Sequence, residues 1–164
     1  GEPRLEQELR NSTLKVALKT RQGEGLADIR GGEFHYKTTL GQPDVLTNVH
    51  VKVGAGKAVA TLTNTQLEHL TIDVGAGSAE VNLSSSSLPS EKGVIDVGVG
   101  SATITIPEGV GLRISHEVGL GRLEVDGSRI QGEGTYTSPN FETADQSVEL
   151  TANVGVGSVT IVRQ

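Results

Sequence analysis

The sequence predicts an all-β solenoid, a single stack of glycine-cornered coils, on three observations: a phrase that recurs five times, strands that change phase at each recurrence, and a core limited to small aliphatic side chains. The phrase reads apolar-x-Val-Gly-apolar-Gly-polar, and its copies occupy residues 51–57, 72–78, 95–101, 116–122 and 152–158. The first glycines, Gly54, Gly75, Gly98, Gly119 and Gly155, lie 21, 23, 21 and 36 residues apart, and the second are Gly56, Gly77, Gly100, Gly121 and Gly157. The first three intervals define a coil of 21–23 residues. The last contains an insertion.

Ile72, Val74 and Ala76 alternate with Asp73 and Gly75, the period of a half-buried strand. After Gly77-Ser78 the apolar positions become Ala79, Val81 and Leu83, so the inward set moves from even to odd numbers. The same slip separates Ile95, Val97 and Val99 from Ala102, Ile104 and Ile106, and Val118 and Leu120 from Leu123 and Val125. A slip of one residue turns a strand inside out unless the backbone bends, and glycine permits the bend. The ten glycines are therefore read as structural corners whose equivalent residues stack in columns. A meander of hairpins with Gly-x-Gly turns is the competing arrangement. Coils spaced by about 4.8 Å would make a rod about 30 Å long.

One domain is expected over residues 1–164: an irregular N-terminal coil or cap (1–50), regular coils (51–125), an insertion (126–145) and a last coil (146–164). Leu14, Val16 and Leu18 alternate as a strand, and Arg21-Gln22-Gly23-Glu24-Gly25 reads as a degraded corner. Residues 83–90 read as a polar loop between coils. Gly, Thr, Ser and β-branched residues interrupt every candidate helix. The core must use Val, Ile, Leu and Ala, because the chain holds two Tyr, two Phe and no Trp.

A formal net charge of −6 and the absence of any basic block argue against nucleic acid as a partner. Without Cys the chain has neither disulfides nor thiolate chemistry. No apolar run approaches the ~20 residues of a membrane helix. The chain contains no Met and does not open on a signal peptide, from which a leader or anchor removed upstream is expected.

Candidate chemistry is sparse. The Gly-x-Gly pairs lack the following helix that dinucleotide binding needs, and no cofactor is expected. Aligning the copies places Lys52, Asp73, Asp96, Glu117 and Asn153 in one column, so Asp73, Asp96 and Glu117 are weak candidates for a Ca²⁺ site, against the alternative of a solvated acidic stripe. His35, His50, His69 and His116 match no common column and are expected at the surface. Glu80 and Glu124 share another outward column, and glycosidase carboxylates stand about 5–10 Å apart. No nucleophile elbow is present, and no catalytic residue is expected. The insertion carries Tyr136 and Phe141, candidate anchors for a partner if they do not fold back over the end of the rod.

The phrase Val-Gly-x-Gly-Ser/Arg, with Ile104 to Leu112 leading into the next copy, resembles the toast-rack superfamily of bacterial β-solenoids, which includes adhesin-like and cell-wall-active-antibiotics-response domains. Residues 26–36 and Gly132-Glu133-Gly134-Thr135-Tyr136 carry the same resemblance, which covers nearly the whole chain. It implies a right-handed, single-stranded β-helix on the outer side of a bacterial membrane, without enzymatic activity or cofactor. The expected function is a non-catalytic, extracytoplasmic binding or envelope-stress-sensing module whose partner is a protein, a cell-surface glycan or its own copies. A carbohydrate-active β-helix enzyme and a Ca²⁺-stabilised structural rod are the alternatives.

Overall fold

Runs in which Val, Ile and Leu alternate with polar residues extend as strands, and small residues bend the chain between them. The computed structural model describes residues 46–164 and the backbone of strands β1 (Arg4–Arg10), β2 (Thr13–Lys19) and β3 (Glu33–His35). The corner expected at 21–25, the side chain of His35 and most of the segment 26–36 lie outside the described residues. The remaining strands are β4 (Thr47–Val53), β5 (Lys57–Leu62), β6 (Leu67–Val74), β7 (Ser78–Leu83), β8 (Pro89–Val97), β9 (Ser101–Ile106), β10 (Gly111–Val125), β11 (Ser128–Thr137), β12 (Ser147–Val154) and β13 (Ser158–Arg163). Among the described residues, helical structure is confined to one 3-10 turn, Ser85–Ser87, and no helix is long and apolar enough to cross a membrane.

The strands form one almost continuous sheet in the order β1-β2-β4-β6-β8-β12-β10-β13-β9-β7-β5-β3. β10 rounds a corner, so that its first half pairs with β12 and its second half with β13. Pairing is parallel except at two places: β1 lies antiparallel on β2, and β11 lies antiparallel on β10. The result is a solenoid-like, parallel-stranded wall folded around one aliphatic core.

The stack does not follow chain order. β12 pairs with β8 on one side and β10 on the other, and β13 lies between β9 and β10. The segment 128–137, expected as part of an insertion, returns as a strand along β10, which lets the chain re-enter the stack one level below. Hydrophobic columns run through the stack accordingly. Val53, Val74, Val97, Val154 and Val118 are successive partners, as are Val51, Ile72, Ile95, Ala152 and His116. His116 occupies an inward position and is buried, contrary to the surface expected of it; its Nδ1 lies 3.1 Å from the Gly132 carbonyl oxygen of β11. His50 and His69 are exposed.

At each corner the hydrogen-bond ladder continues through the glycines. The Gly75 N–H donates to the Val53 carbonyl, Ala76 N–H to Gly54 and Ser78 N–H to Gly56, each at 2.8 Å. Val99 and Ser101 repeat the pattern on Gly75 and Gly77, and Val156 and Ser158 on Gly98 and Gly100. The second glycine is needed for closeness more than for conformational freedom. Only Gly56 among the ten corner glycines has a left-handed φ, +104°. At Gly77, Gly100, Gly121 and Gly157 a Cβ would collide with the carbonyl oxygen of the second glycine in the adjoining coil. It would also press on a core valine, for Gly100 at 2.8 Å from Val74 Cγ1.

The far corners use side chains instead. Thr65 N–H donates to Ser87 Oγ at 3.1 Å, and Ser87, fully buried in the 3-10 turn, also receives Ser84 Oγ–H at 3.1 Å. Where the last coil meets β10, Arg163 donates through Nε to Asp126 Oδ2 at 2.7 Å and through Nη1 to Asn140 Oδ1 at 3.1 Å. Asn140 Nδ2 in turn donates to the Gly109 carbonyl at 2.9 Å. This clamp ties the end of β13 to both sides of the β10–β11 excursion.

Three substitutions probe these devices. Gly100→Ala should cost about 2–3 kcal/mol in urea unfolding, while Gly98→Ala, whose Cβ meets the Gly75 carbonyl oxygen at 3.2 Å, should cost about 1 kcal/mol; equal costs would contradict the close-approach account. Arg163→Ala, which removes charged hydrogen bonds from a partly buried site, should lower stability by about 2 kcal/mol in the same assay.

Candidate functional site

The middle residue of each Gly-x-Gly points away from the core. The sequence pattern placed Ala76, Val99 and Leu120 with the inward set, but the corner turns them outward, because two inward residues, such as Val74 and Ala79, already flank it. Ala55, Ala76, Val99, Val156 and Leu120 therefore form a crest along the stacked corners. Its larger members are strongly exposed: Val99 at 68%, Val156 at 60% and Leu120 at 89%. Among the described residues the one other exposed large hydrophobic is Leu46.

On one flank of the crest stands the column Lys52, Asp73, Asp96, Asn153 and Glu117, in that spatial order. Asp73, Asp96, Asn153 and Glu117 line a shallow groove of about 480 Å³ with Gly75, Gly98, Gly119 and Gly155. The weak Ca²⁺ candidates Asp73 and Asp96 face each other in register, but Asn153 stands between Asp96 and Glu117, where chain order put Glu117 next to Asp96. Asn153 Nδ2 donates to Asp96 Oδ1 at 2.6 Å, and Lys52 Nζ lies 3.0 Å from Asp73 Oδ2. Protein donors thus already meet two of the three carboxylates. Among the described residues no three His, Asp or Glu side chains converge on a metal position.

The other flank carries Lys57, Ser78, Ser101, Ser158 and Arg122 in successive register. Arg122 and Arg129 line a second groove of about 360 Å³ with Val99, Val156 and Leu120. Across β10 and β11, Glu117 is directly opposite Glu133, and Glu124 is opposite Arg129. Exposed like charges in cross-strand pairs are unfavourable, which leaves Glu117 and Glu133 in need of a cation.

The aromatic candidates are engaged within the chain. Tyr136, opposite Ile114, packs half-buried against the core, and Phe141 lies beneath the Arg113 guanidinium, 3.9 Å from the ring centroid. Arg113 also binds Glu142 and Glu149 at 3.1 and 3.0 Å. Glu80 and Glu124 are separated in their column by Thr103 and Thr160, hence by three strand spacings or roughly 14 Å. That exceeds the separation of a glycosidase pair.

The acidic flank yields a direct test. Asn153→Asp replaces a donor by a third neighbouring carboxylate and should lower stability by about 0.5–1 kcal/mol at low salt, an effect that Ca²⁺ relieves. The melting temperature of the unsubstituted chain should not change with Ca²⁺ or chelator; a rise with Ca²⁺ would show that the column binds the ion after all.

No curated protein matches the chain in sequence. A solved structure, a candidate cell adhesion protein from Clostridium sporogenes ATCC 15579, superposes with a TM-score of 0.64 over 99% of this chain and 77% of its own, at 20% identity. That likeness extends over the whole fold, N-terminal strands included. The model of a sequence family, the N-terminal domain of toast-rack, DUF2154, matches residues 1–105, which hold the first three Gly-x-Gly corners. With nearly two thirds of its length matched, the chain belongs to the toast-rack N-terminal domain family.

Proposed function

We propose that this chain is a non-catalytic, extracytoplasmic binding module of the bacterial cell envelope, and that it binds through the corner crest. The observation that carries this reading is the gathering of Val99, Val156 and Leu120, strongly exposed, on one rigid ridge. Exposed apolar groups gathered on a scaffold where, among the described residues, Leu46 is the one other exposed large hydrophobic mark an interaction surface. The candidate cell adhesion protein of like fold supports a surface role, and so does the toast-rack family. Register offsets such as Val53 to Val74 and Val74 to Val97 support coils of 21–23 residues, and the strong preference of parallel crossovers supports a right-handed winding.

The partner surface is protein more than glycan. Sugar-binding faces usually offer aromatic platforms, whereas the crest is aliphatic and both described aromatics with side chains in view, Tyr136 and Phe141, are committed to internal contacts. An adhesin-like role fits this face directly, and an envelope-stress sensor would use the same face to hold a signalling partner. The separation of Glu80 from Glu124 and the protein donors on Asp73 and Asp96 leave no poised acid–base pair among them.

Retention of the chain on isolated envelope fractions of the producing cell should fall at least about tenfold in Leu120→Asp, while Tyr136→Phe retains binding. Unchanged retention in Leu120→Asp would remove the crest from the binding account. Release of reducing ends from a panel of envelope polysaccharides would replace the binding reading by an enzymatic one.

A further inference from the structure

The crest is flanked by opposite charges at the level of its most exposed residue. In β10, Glu117 precedes the corner and Arg122 follows it, with Leu120 between them. β11 repeats the arrangement in reverse, Arg129 lying on the Arg122 side and Glu133 opposite Glu117. Two acids therefore stand on one flank and two bases on the other, with an aliphatic strip dividing them. All four charged side chains are exposed, and none of them is ion-paired with a described residue.

Such a face is complementary to itself under one symmetry operation. A twofold axis running along the crest rotates the acidic flank of one copy onto the basic flank of another and sets crest against crest. Glu117 then meets the level of Arg122, and Glu133 that of Arg129. A twofold axis across the crest would oppose acid to acid and base to base. An isologous interface demands this kind of self-match, and like-charge juxtaposition is costly enough to exclude the second arrangement.

We propose that the Val99–Val156–Leu120 crest, with Glu117 and Glu133 on one side and Arg122 and Arg129 on the other, is a docking face for a second copy of this chain, the two stacks lying side by side and parallel. This deepens the binding-module reading, on which it rests, by naming the partner. Arg122 and the Glu117–Glu133 pair each find a counter-charge there, and Arg129, opposite Glu124 within its own chain, adds to the basic flank. Val99, Val156 and Leu120 find apolar cover.

Sedimentation velocity of the full chain from micromolar to submillimolar concentration should show a monomer–dimer equilibrium that weakens as salt is raised. The paired reversals R122E/R129E and E117R/E133R should each weaken dimerisation roughly tenfold or more, and an equal mixture of the two variants should recover it as a heterodimer. Since the chain has no native Cys, V99C, V156C and L120C can be oxidised one at a time. In the parallel arrangement every crest position meets its own copy, so all three should cross-link; in the crossed arrangement only a position on the axis would. A chain that stays monomeric throughout, or a dimer indifferent to both reversals, overturns the proposal. Should a reversal fail to fold, as read by circular dichroism, L120D decides the matter, because a dimer unaffected by it overturns the proposal equally. Envelope retention by a strictly monomeric chain would overturn self-docking and leave the binding module standing, whereas a dimer that ignores envelope fractions would do the reverse.

Discussion

Everything in this molecule depends on carrying a parallel hydrogen-bond ladder around a sharp corner without losing register. The backbone of each corner lies against the corner of the adjoining coil, with donor-to-acceptor distances of 2.8 Å at Gly75, Ala76 and Ser78. A side chain at the second glycine would wedge the coils apart at the carbonyl beneath it. Once the corners are in contact, strands on both sides follow in step, and like residues stack on like, valine on valine from Val53 to Val118. This explains how a chain with few aromatics builds a dry core. Short aliphatic side chains in aligned columns fill a narrow interior that larger rings would force open.

The same constraint separates what the sequence discloses from what it hides. The five phrases and the slip from Val74 to Ala79 reveal strands, corners and a solenoid, because periodicity is local and each copy repeats it. Leu14, Val16 and Leu18 lie in β2, stacked in parallel on β4. The order of stacking is a long-range property, and no local pattern shows that residues 147–163 enter between the β8–β9 coil and β10. The order of the acidic column is a direct result, since Asn153 follows Glu117 in the chain and stands before it in the stack. In retrospect one signal was available: Ala152 is the smallest residue in the column that ends at His116, as fits a position hemmed in by larger neighbours on both sides.

The crest was hidden for a different reason. Alternation assigned Val99 and Leu120 to the interior by counting in twos, but a phase change needs a stretch in which counting in twos fails, and the residue in that stretch is forced outward. Its apolar character is thus unexplained by folding and becomes informative about association. The charges beside it acquire meaning only once β11 is laid along β10, because that pairing sets Glu133 opposite Glu117 and brings Arg129 to the flank of Arg122. Histidine burial, by contrast, follows the alternation, with Ile114, His116 and Val118 all turned inward. His116 is an ordinary core column member that happens to end the row beneath β11.

The threading of the last coil also bears on how the chain is made. A ribosome releases β10 and β11 before β12 and β13, yet these later strands lie between β10 and the coil formed by β8 and β9. A nascent chain that simply added each new coil to the previous one would dock β10 onto β8, a level too early, and bury the place its successor must occupy. Synthesis and architecture therefore run in different orders over residues 111–163. Residues 111–137 reach their final neighbours only when residues 147–163 are present to lie beside them, and the Arg163 clamp on Asp126 and Asn140 belongs to that completed stack. Completion of the stack is in this sense a latch thrown by a residue translated after every strand that it joins.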